Sequence, residues 1–283
     1  MRTSLVTGAS GGVGLALVHL LAAKGHRVIM AVRDLGRGEK ARDEVLRQHP
    51  GASLQLELVD LAKLRSVRAL GEKDLGIDVL INNAGVGFET MTLTEEGVLL
   101  QFAANHLGHF ALSALLFEQL SKRDDARIVV VTSTLAKKGR LDLANLDGSQ
   151  GFSRSRAYVQ SKLANLFFGA ELDRRLRASN SKVKSVLAHP GVPATAMQQK
   201  ATGFIGVVVR TASALIGRPP SHGAEALLEA ALGSSVQSGD IWQPGKRIGD
   251  PPRKEKPWPT QSDLEGAARL WERSEALTRL RFL

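Results

Sequence analysis

Short apolar runs alternate along this chain with stretches of helical period. Ser4 to Thr7 is short and apolar, which predicts a buried first strand. Leu15, Leu17, Val18, Leu20 and Leu21 then recur at helical spacing, and Gly25 is placed to stop that helix. Arg27 to Val32 predicts a second strand. Leu35 to His49 follows as a charged amphipathic helix ended by Pro50-Gly51, and Leu54 to Val59 as a third strand. Lys63 to Glu72 reads as a helix and Asp78 to Ile81 as strand four. Glu95 to Lys122 is mostly helical, Arg127 to Thr132 is strand five, and 135–156 is a loop rich in Gly, Ser and basic side chains. The next helix runs to about Ala178, and Lys182 to Ala188 is strand six. The alternation predicts an α/β fold: a doubly wound parallel sheet of about seven strands, helices on both faces, crossovers right-handed.

The pattern then changes. Gly203 to Gly217 is apolar but interrupted by Arg210, and too short to span a bilayer. It reads as a substrate lid, a membrane-touching helix or a packed core helix. A lid over 193–220 is the leading reading, because it follows a strand's C-terminal end, where α/β sites form. Ser221 to Leu232 is a helix opened by Pro219-Pro220, and Ile241-Trp242 a last short strand. Residues 244–260 carry several prolines and basic groups and read as irregular. Leu264 to Leu280 is an amphipathic helix with Leu270, Trp271 and Leu277 on its packing face. Without an internal repeat or a linker, residues 1–283 read as one domain, with 244–283 as a C-terminal extension.

Composition narrows the class. The apolar fraction of 43% suits a globular core of 283 residues. With no cysteine, disulfides and thiolate metal sites are excluded, which fits a reducing, cytoplasmic location. Met1 to Val6 has no apolar core or cleavage site of a signal peptide. The net charge of +10 is spread through the chain, with a local excess from Lys246 to Lys256. No DNA- or RNA-binding motif accompanies it, so an anionic cofactor or an acidic membrane surface is a better partner than nucleic acid.

Thr7-Gly8-Ala9-Ser10-Gly11-Gly12-Val13-Gly14 lies between the first strand and the first helix. Glycines let the backbone approach a pyrophosphate, and the helix N-terminus offers free N–H groups and partial positive charge. An NAD site puts an acid at the end of the second strand, to bond the ribose 2′-hydroxyl. Here Val32 stands in that place, with Arg33 next to it. Arginine binds a 2′-phosphate bidentately, so NADP(H) is favoured over NAD(H); the alternative is that Asp34 does the acid's work. Tyr158 and Lys162 are four residues apart and share a helix face. An ammonium near a phenol lowers its pKa from about 10, toward the range where acid–base catalysis works. His106, His109 and His189 have no carboxylate partner or ligand at metal spacing and read as structural, with no metal site.

Thr-Gly-x-x-x-Gly-x-Gly, Asn82-Asn83-Ala84-Gly85 after strand four, Ser133 after strand five and Tyr158-x-x-x-Lys162 occur in that order. Over nearly its whole length the chain resembles the short-chain dehydrogenase/reductase family. Asn105-His106-Leu107-Gly108-His109-Phe110, Ser161-Lys162-Leu163-Ala164-Asn165 and His189-Pro190-Gly191 narrow that to the retinol-dehydrogenase-like branch, which also resembles protochlorophyllide reductases. The resemblance implies that Tyr158 transfers the proton, with Lys162 lowering its pKa and holding the nicotinamide ribose. Ser133 would orient the carbonyl, with Thr132 or Thr134 as stand-ins, and Asn105 would support a water-linked proton path. Gly8, Gly12, Val13 and Gly14 would line the pyrophosphate turn. Ser10 and Arg33 would sit near the adenosine phosphate and Asp60-Leu61 near the adenine. Asn83, Ala84 and Gly85 would lie along the cofactor, and Pro190, Gly191, Val192 and Thr195 would border the nicotinamide.

The implied function is NADP(H)-dependent interconversion of an apolar alcohol and its aldehyde or ketone. A cofactor-binding regulator without turnover, or a membrane-surface protein using 203–217, are the other readings. Many animal members of the branch carry an N-terminal membrane anchor, which this chain lacks ahead of its first strand. Pro193 departs from the arginine or bulky residue found there in the branch. Family dimers pack the helices around Asn105 and Tyr158 into four-helix interfaces. A homodimer is therefore one reading, and a monomer enforced by the C-terminal extension the other.

Overall fold

The computed structural model describes residues 1–191, 218–258 and 263–283. Strand β1 (Thr3–Thr7) is buried at every position, because it lies inside the sheet and is covered on both faces. It pairs in parallel with β2 (Arg27–Val32) on one side and β4 (Val79–Asn82) on the other. Beyond β2 lies β3 (Leu54–Leu58). Beyond β4 lie β5 (Arg127–Val131), β6 (Lys184–Ala188) and β7 (Ile241–Gln243), all parallel. The order β3-β2-β1-β4-β5-β6-β7-β8 makes an eight-stranded sheet, one strand more than the apolar pattern predicts. The extra strand, β8 (Arg253–Glu255), runs antiparallel to β7 inside the segment read as irregular. Its three charged residues carry no apolar alternation, so nothing in its pattern marks it as a strand.

One face of the sheet carries α1 (Gly12–Ala23) and α2 (Leu35–Gln48), together with α7 (Pro220–Leu232), which packs on α1. Leu17, Val18 and Leu21 of α1 pack there with Val28, Met30 and Leu227. The other face carries α3 (Leu64–Gly71), α5 (Gly108–Ser121) and α6 (Arg154–Ala178). The long helix read from Glu95 starts later, as α4 (Leu100–Phe102), and passes through a π-helical turn at Ala103–Leu107 before α5.

Helix α8 (Leu264–Thr278) packs on α6 and the π-helical turn and meets α5 through Trp271. Trp271 is 1% exposed and meets Phe110 at 5.1 Å, Phe168 at 5.9 Å and Phe282 at 5.1 Å between ring centroids. The Arg175 guanidinium sits 4.4 Å over the Trp271 ring. His106 of the π-helical turn bonds Ser274 at 2.7 Å, and Arg68 of α3 donates to the Thr278 carbonyl. The extension is therefore part of the core, fastened by aromatic burial and by hydrogen bonds. No helix among the described residues is long and apolar enough to cross a membrane.

Candidate functional site

The strand order reverses between β1 and β4, and at such a switch point an open α/β sheet forms a crevice beyond its strands' C-terminal ends. The glycine turn lies on one side of it. Gly8 has φ +69°, and a Cβ there would stand 2.9 Å from the Ala84 Cα. A Cβ on Gly14 would overlap the Gly8 carbonyl oxygen. Only glycine permits so close a passage of β1's turn, the first turn of α1 and the Asn83-Ala84 segment. No side chain caps α1, so its first N–H groups stay available to an anion.

A cavity of about 340 Å³ opens beside this turn, lined by Gly8, Ser10, Arg33, Arg37, Asp60 and Leu61 among others. Two exposed arginines reach it, and among the described residues neither guanidinium is paired with a carboxylate. Arg37 is the residue that sequence reasoning missed. Spacing gave no signal for it, because Arg33 precedes the extended Asp34 cap and only the fold brings it beside the first turn of α2. Asp34, the alternative to Arg33, caps α2 by accepting from the Arg37 N–H at 2.9 Å. Asp60 is tied similarly, accepting from the Ala62 N–H at 3.1 Å. The donor set and the glycine cradle thus fit the adenosine and pyrophosphate end of a dinucleotide with a further anionic group.

Thr7 holds the Asn83-Ala84 turn against β1. Its Oγ1 accepts from the Asn83 and Ala84 N–H groups, both at 2.9 Å, and Asn83 Nδ2 donates back to the Thr7 carbonyl. His109 Nδ1 lies 2.9 Å from the Asn105 carbonyl, an acceptor, so that nitrogen carries the proton. Nε2 then accepts, and Thr7 Oγ1 donates to it at 2.9 Å. Burial pushes the His109 imidazole down to about 3, so it stays neutral. Asn105 sits in the π-helical turn with a fully engaged side chain. Oδ1 accepts from the Val86 N–H at 2.7 Å, and Nδ2 donates to the Val86 carbonyl and to Ser161 Oγ. Gly85 leaves open the space between Asn105 and the Lys162 ammonium.

Ser133 follows β5 and caps a 3₁₀ turn, Thr134–Lys138. Its hydroxyl stands near enough to the Tyr158 phenol to draw that phenol's pKa down. Thr132 is no stand-in, because its hydroxyl is buried and donates to the Lys162 carbonyl at 2.8 Å. Phe88 packs on the Tyr158 ring, centroids 4.9 Å apart. Lys162 is buried, and Nζ donates to the Val131 carbonyl at 3.2 Å. The tyrosine departs from the sequence expectation. Burial pushes Tyr158 up to about 12, against the Ser133 hydroxyl that draws it down. Burial also lowers Lys162 to about 8. With Nζ bonded to the Val131 carbonyl, burial outweighs what draws the phenol down, and Tyr158 holds its proton in the cofactor-free chain.

His189 also departs from the reading that gave it no carboxylate partner: Nε2 lies 2.9 Å from Glu255 Oε2. Pro190 and Gly191 follow it at the end of β6, while Val192, Thr195 and the segment 203–217 lie outside the described residues. Gly12 and Val13 open α1 as expected. Among the described residues no group of three or more His, Asp and Glu side chains gathers as for a metal.

The short chain dehydrogenase family profile matches residues 2–204. The chain is 37% identical to mouse Retinol dehydrogenase 14 over 294 residues, 98% of this chain and 85% of that protein. It is 35% identical to an uncharacterised protein from Mycobacterium paratuberculosis, with TM-score 0.82 over 100% of this chain and 95% of that one. A short-chain dehydrogenase from Sphingobium yanoikuyae, solved in complex with NADPH, shares the fold at 22% identity and TM-score 0.63, covering 81% of this chain and 84% of that one.

Proposed function

The chain belongs to the short-chain dehydrogenase family, and from that premise we propose that it is an NADP(H)-dependent oxidoreductase. It interconverts an apolar alcohol and its aldehyde or ketone, with Tyr158 as proton donor and acceptor. The observation that carries this reading is the convergence of Ser133, at the end of β5, on Tyr158, one helical turn from the buried Lys162. When bound, the cofactor supplies or takes up the hydride. In reduction, Ser133 orients the carbonyl oxygen at the phenol, and Tyr158 delivers its proton to that oxygen. Lys162 carries positive charge beneath the phenol as it gives up the proton, and holds the nicotinamide ribose. Asn105 fixes the Val86 turn and the space behind Lys162 through which a proton returns. Gly8, Ser10, Gly12, Val13 and Gly14 hold the pyrophosphate, and Asp60 and Leu61 the adenine. Asn83, Ala84 and Gly85 run along the cofactor, and Pro190 and Gly191 border the nicotinamide.

Phe88 against Tyr158 supports an apolar substrate, as does the likeness to proteins named retinol dehydrogenases. The paired arginines of the adenosine cavity support NADP(H). The protein is expected to bind NADPH more tightly than NADH. Arg33→Ala should remove most of that preference, and Arg33→Ala with Arg37→Ala all of it, by roughly 1.5–3 kcal/mol for each charged hydrogen bond lost. Calorimetric titration with both cofactors tests this, followed by NADPH consumption with apolar aldehydes and ketones. Equal binding of NADH by the wild type, or NADPH binding without reduction of any carbonyl offered, would overturn the corresponding half of the proposal.

The chain is read as one domain with a lid over 193–220, acting in the cytoplasm. Because α8 covers α6 and the π-helical turn that carries Asn105, where a family dimer would pack, the monomer is the favoured reading. Light scattering should give a mass near 30.4 kDa at high concentration, and twice that mass would restore the dimer.

A further inference from the structure

We propose that Glu255, on the edge strand β8, is a positioning residue for the reaction, tying the turn after Ser133 to the turn after β6 and so setting the gap between the two walls of the cleft. This rests on the reading of Ser133 and Gly191 given above. Neighbouring strand residues point to opposite faces, and β8 uses its two faces differently. Lys254 bonds Asp240 at 2.5 Å, and the ladder to β7 adds main-chain bonds, so β8 is attached to the sheet without Glu255. Both Glu255 oxygens are spent elsewhere. Oε1 accepts from Lys137 Nζ at 2.6 Å, and Lys137 belongs to the 3₁₀ turn that Ser133 caps. Oε2 faces His189 Nε2 at 2.9 Å.

The direction of the second contact follows from its neighbour. The Gly191 N–H donates to His189 Nδ1 at 3.3 Å, so that nitrogen carries no proton and Nε2–H donates to Glu255. A chain of hydrogen bonds thus runs from Glu255 through His189 to Gly191, which turns at φ +71°. Trp258 backs the group, with the Lys137 ammonium 4.4 Å over its ring and the His189 ring 5.5 Å away. Burial would raise the Glu255 carboxyl, but the His189 and Lys137 bonds outweigh it and hold the group down at about 2. The tie is therefore charged at any pH where the protein works. The main-chain bonds between β5 and β6 end with the Thr132 N–H on the Ala188 carbonyl, so the turns beyond it, Thr134–Lys138 and Pro190-Gly191, are tied to each other through side chains.

The test uses the full chain. Glu255→Ala is expected to lower kcat about tenfold or more, since small misplacements of aligned groups cost on that scale, while NADPH affinity stays at the wild-type value. Glu255→Gln and Lys137→Met should each lower kcat less, and their double variant no further than the stronger single one, because they cut the same bond. Lys254→Gln, on the same strand, should leave kcat unchanged. Hydrogen exchange provides a readout that needs no turnover: Glu255→Ala should speed exchange of the Leu135–Gly139 amides and of Gly191, and Lys254→Gln should not. Wild-type kcat and exchange in Glu255→Ala would overturn the proposal. So would the same losses in Lys254→Gln, which would make the effect one of strand attachment. If the wild type reduces no carbonyl, the proposed function falls, and the exchange comparison still decides the role of Glu255.

Discussion

Tyr158→Phe is expected to stop carbonyl reduction, by about 10²–10⁴-fold, the scale of a lost general acid. NADPH binding should survive, weakened by no more than about tenfold, since a single hydrogen bond is removed. The fold should be unaffected, because the ring that meets Phe88 is kept and only the phenol oxygen goes. The wild-type pH profile makes the argument sharper. With the phenol pushed up to about 12, Tyr158 is protonated throughout the neutral range. Reduction, which needs the acid form, should be nearly flat there, and alcohol oxidation, which needs the base form, should rise with pH. Stopped-flow single turnovers on both forms measure this. A Tyr158→Phe enzyme reducing carbonyls at the wild-type rate would remove Tyr158 from the chemistry.

Lys162→Met should separate stability from activity. A lysine whose folded pKa is about 8, against about 10.4 unfolded, binds fewer protons folded than unfolded between those values. Stability of the cofactor-free wild type should therefore rise with pH through that window. Below it the ammonium is charged in both states, and the fold bears the full cost of burying it. Replacing Lys162 with an apolar chain of similar length removes this cost. The cofactor-free variant should be more stable at neutral pH by on the order of 2–3 kcal/mol, less the Val131 hydrogen bond, with the gain gone at strongly alkaline pH. Turnover should fall by at least about 10²-fold, because the charge beneath Tyr158 and the ribose contact are both lost. Urea midpoints across pH, beside kcat, give both numbers. A variant less stable than wild type at neutral pH would mean that the Val131 bond outweighs the buried charge.

The order of strands and helices was legible because each buried strand is a short apolar run closed by a turn residue, and each helix repeats at its own period. The candidate site was legible because the chemistry proposed for it implies a spacing: a phenol and an ammonium one turn apart, glycines where backbones touch. What was missed depends on contacts across the sequence. Arg37 gains meaning only when the α2 N-terminus is seen to border the same cavity as Arg33. The raised Tyr158 pKa depends on depth of burial, which spacing cannot show. His189 acquires its carboxylate from residue 255, on a strand whose composition resembles a loop.

Strand β8 has another consequence, for solubility. A parallel sheet that ended at β7 would expose the unpaired main-chain groups of Ile241 and Trp242, an apolar template on which another chain could add itself. Here a short antiparallel strand covers that edge and turns Arg253 and Lys254 outward, both exposed. Charged, short edge strands are poor seeds for intermolecular pairing. A chain cut before Arg253 would bare both this edge and the aromatic face that α8 covers, and would be expected to precipitate, whatever became of its chemistry.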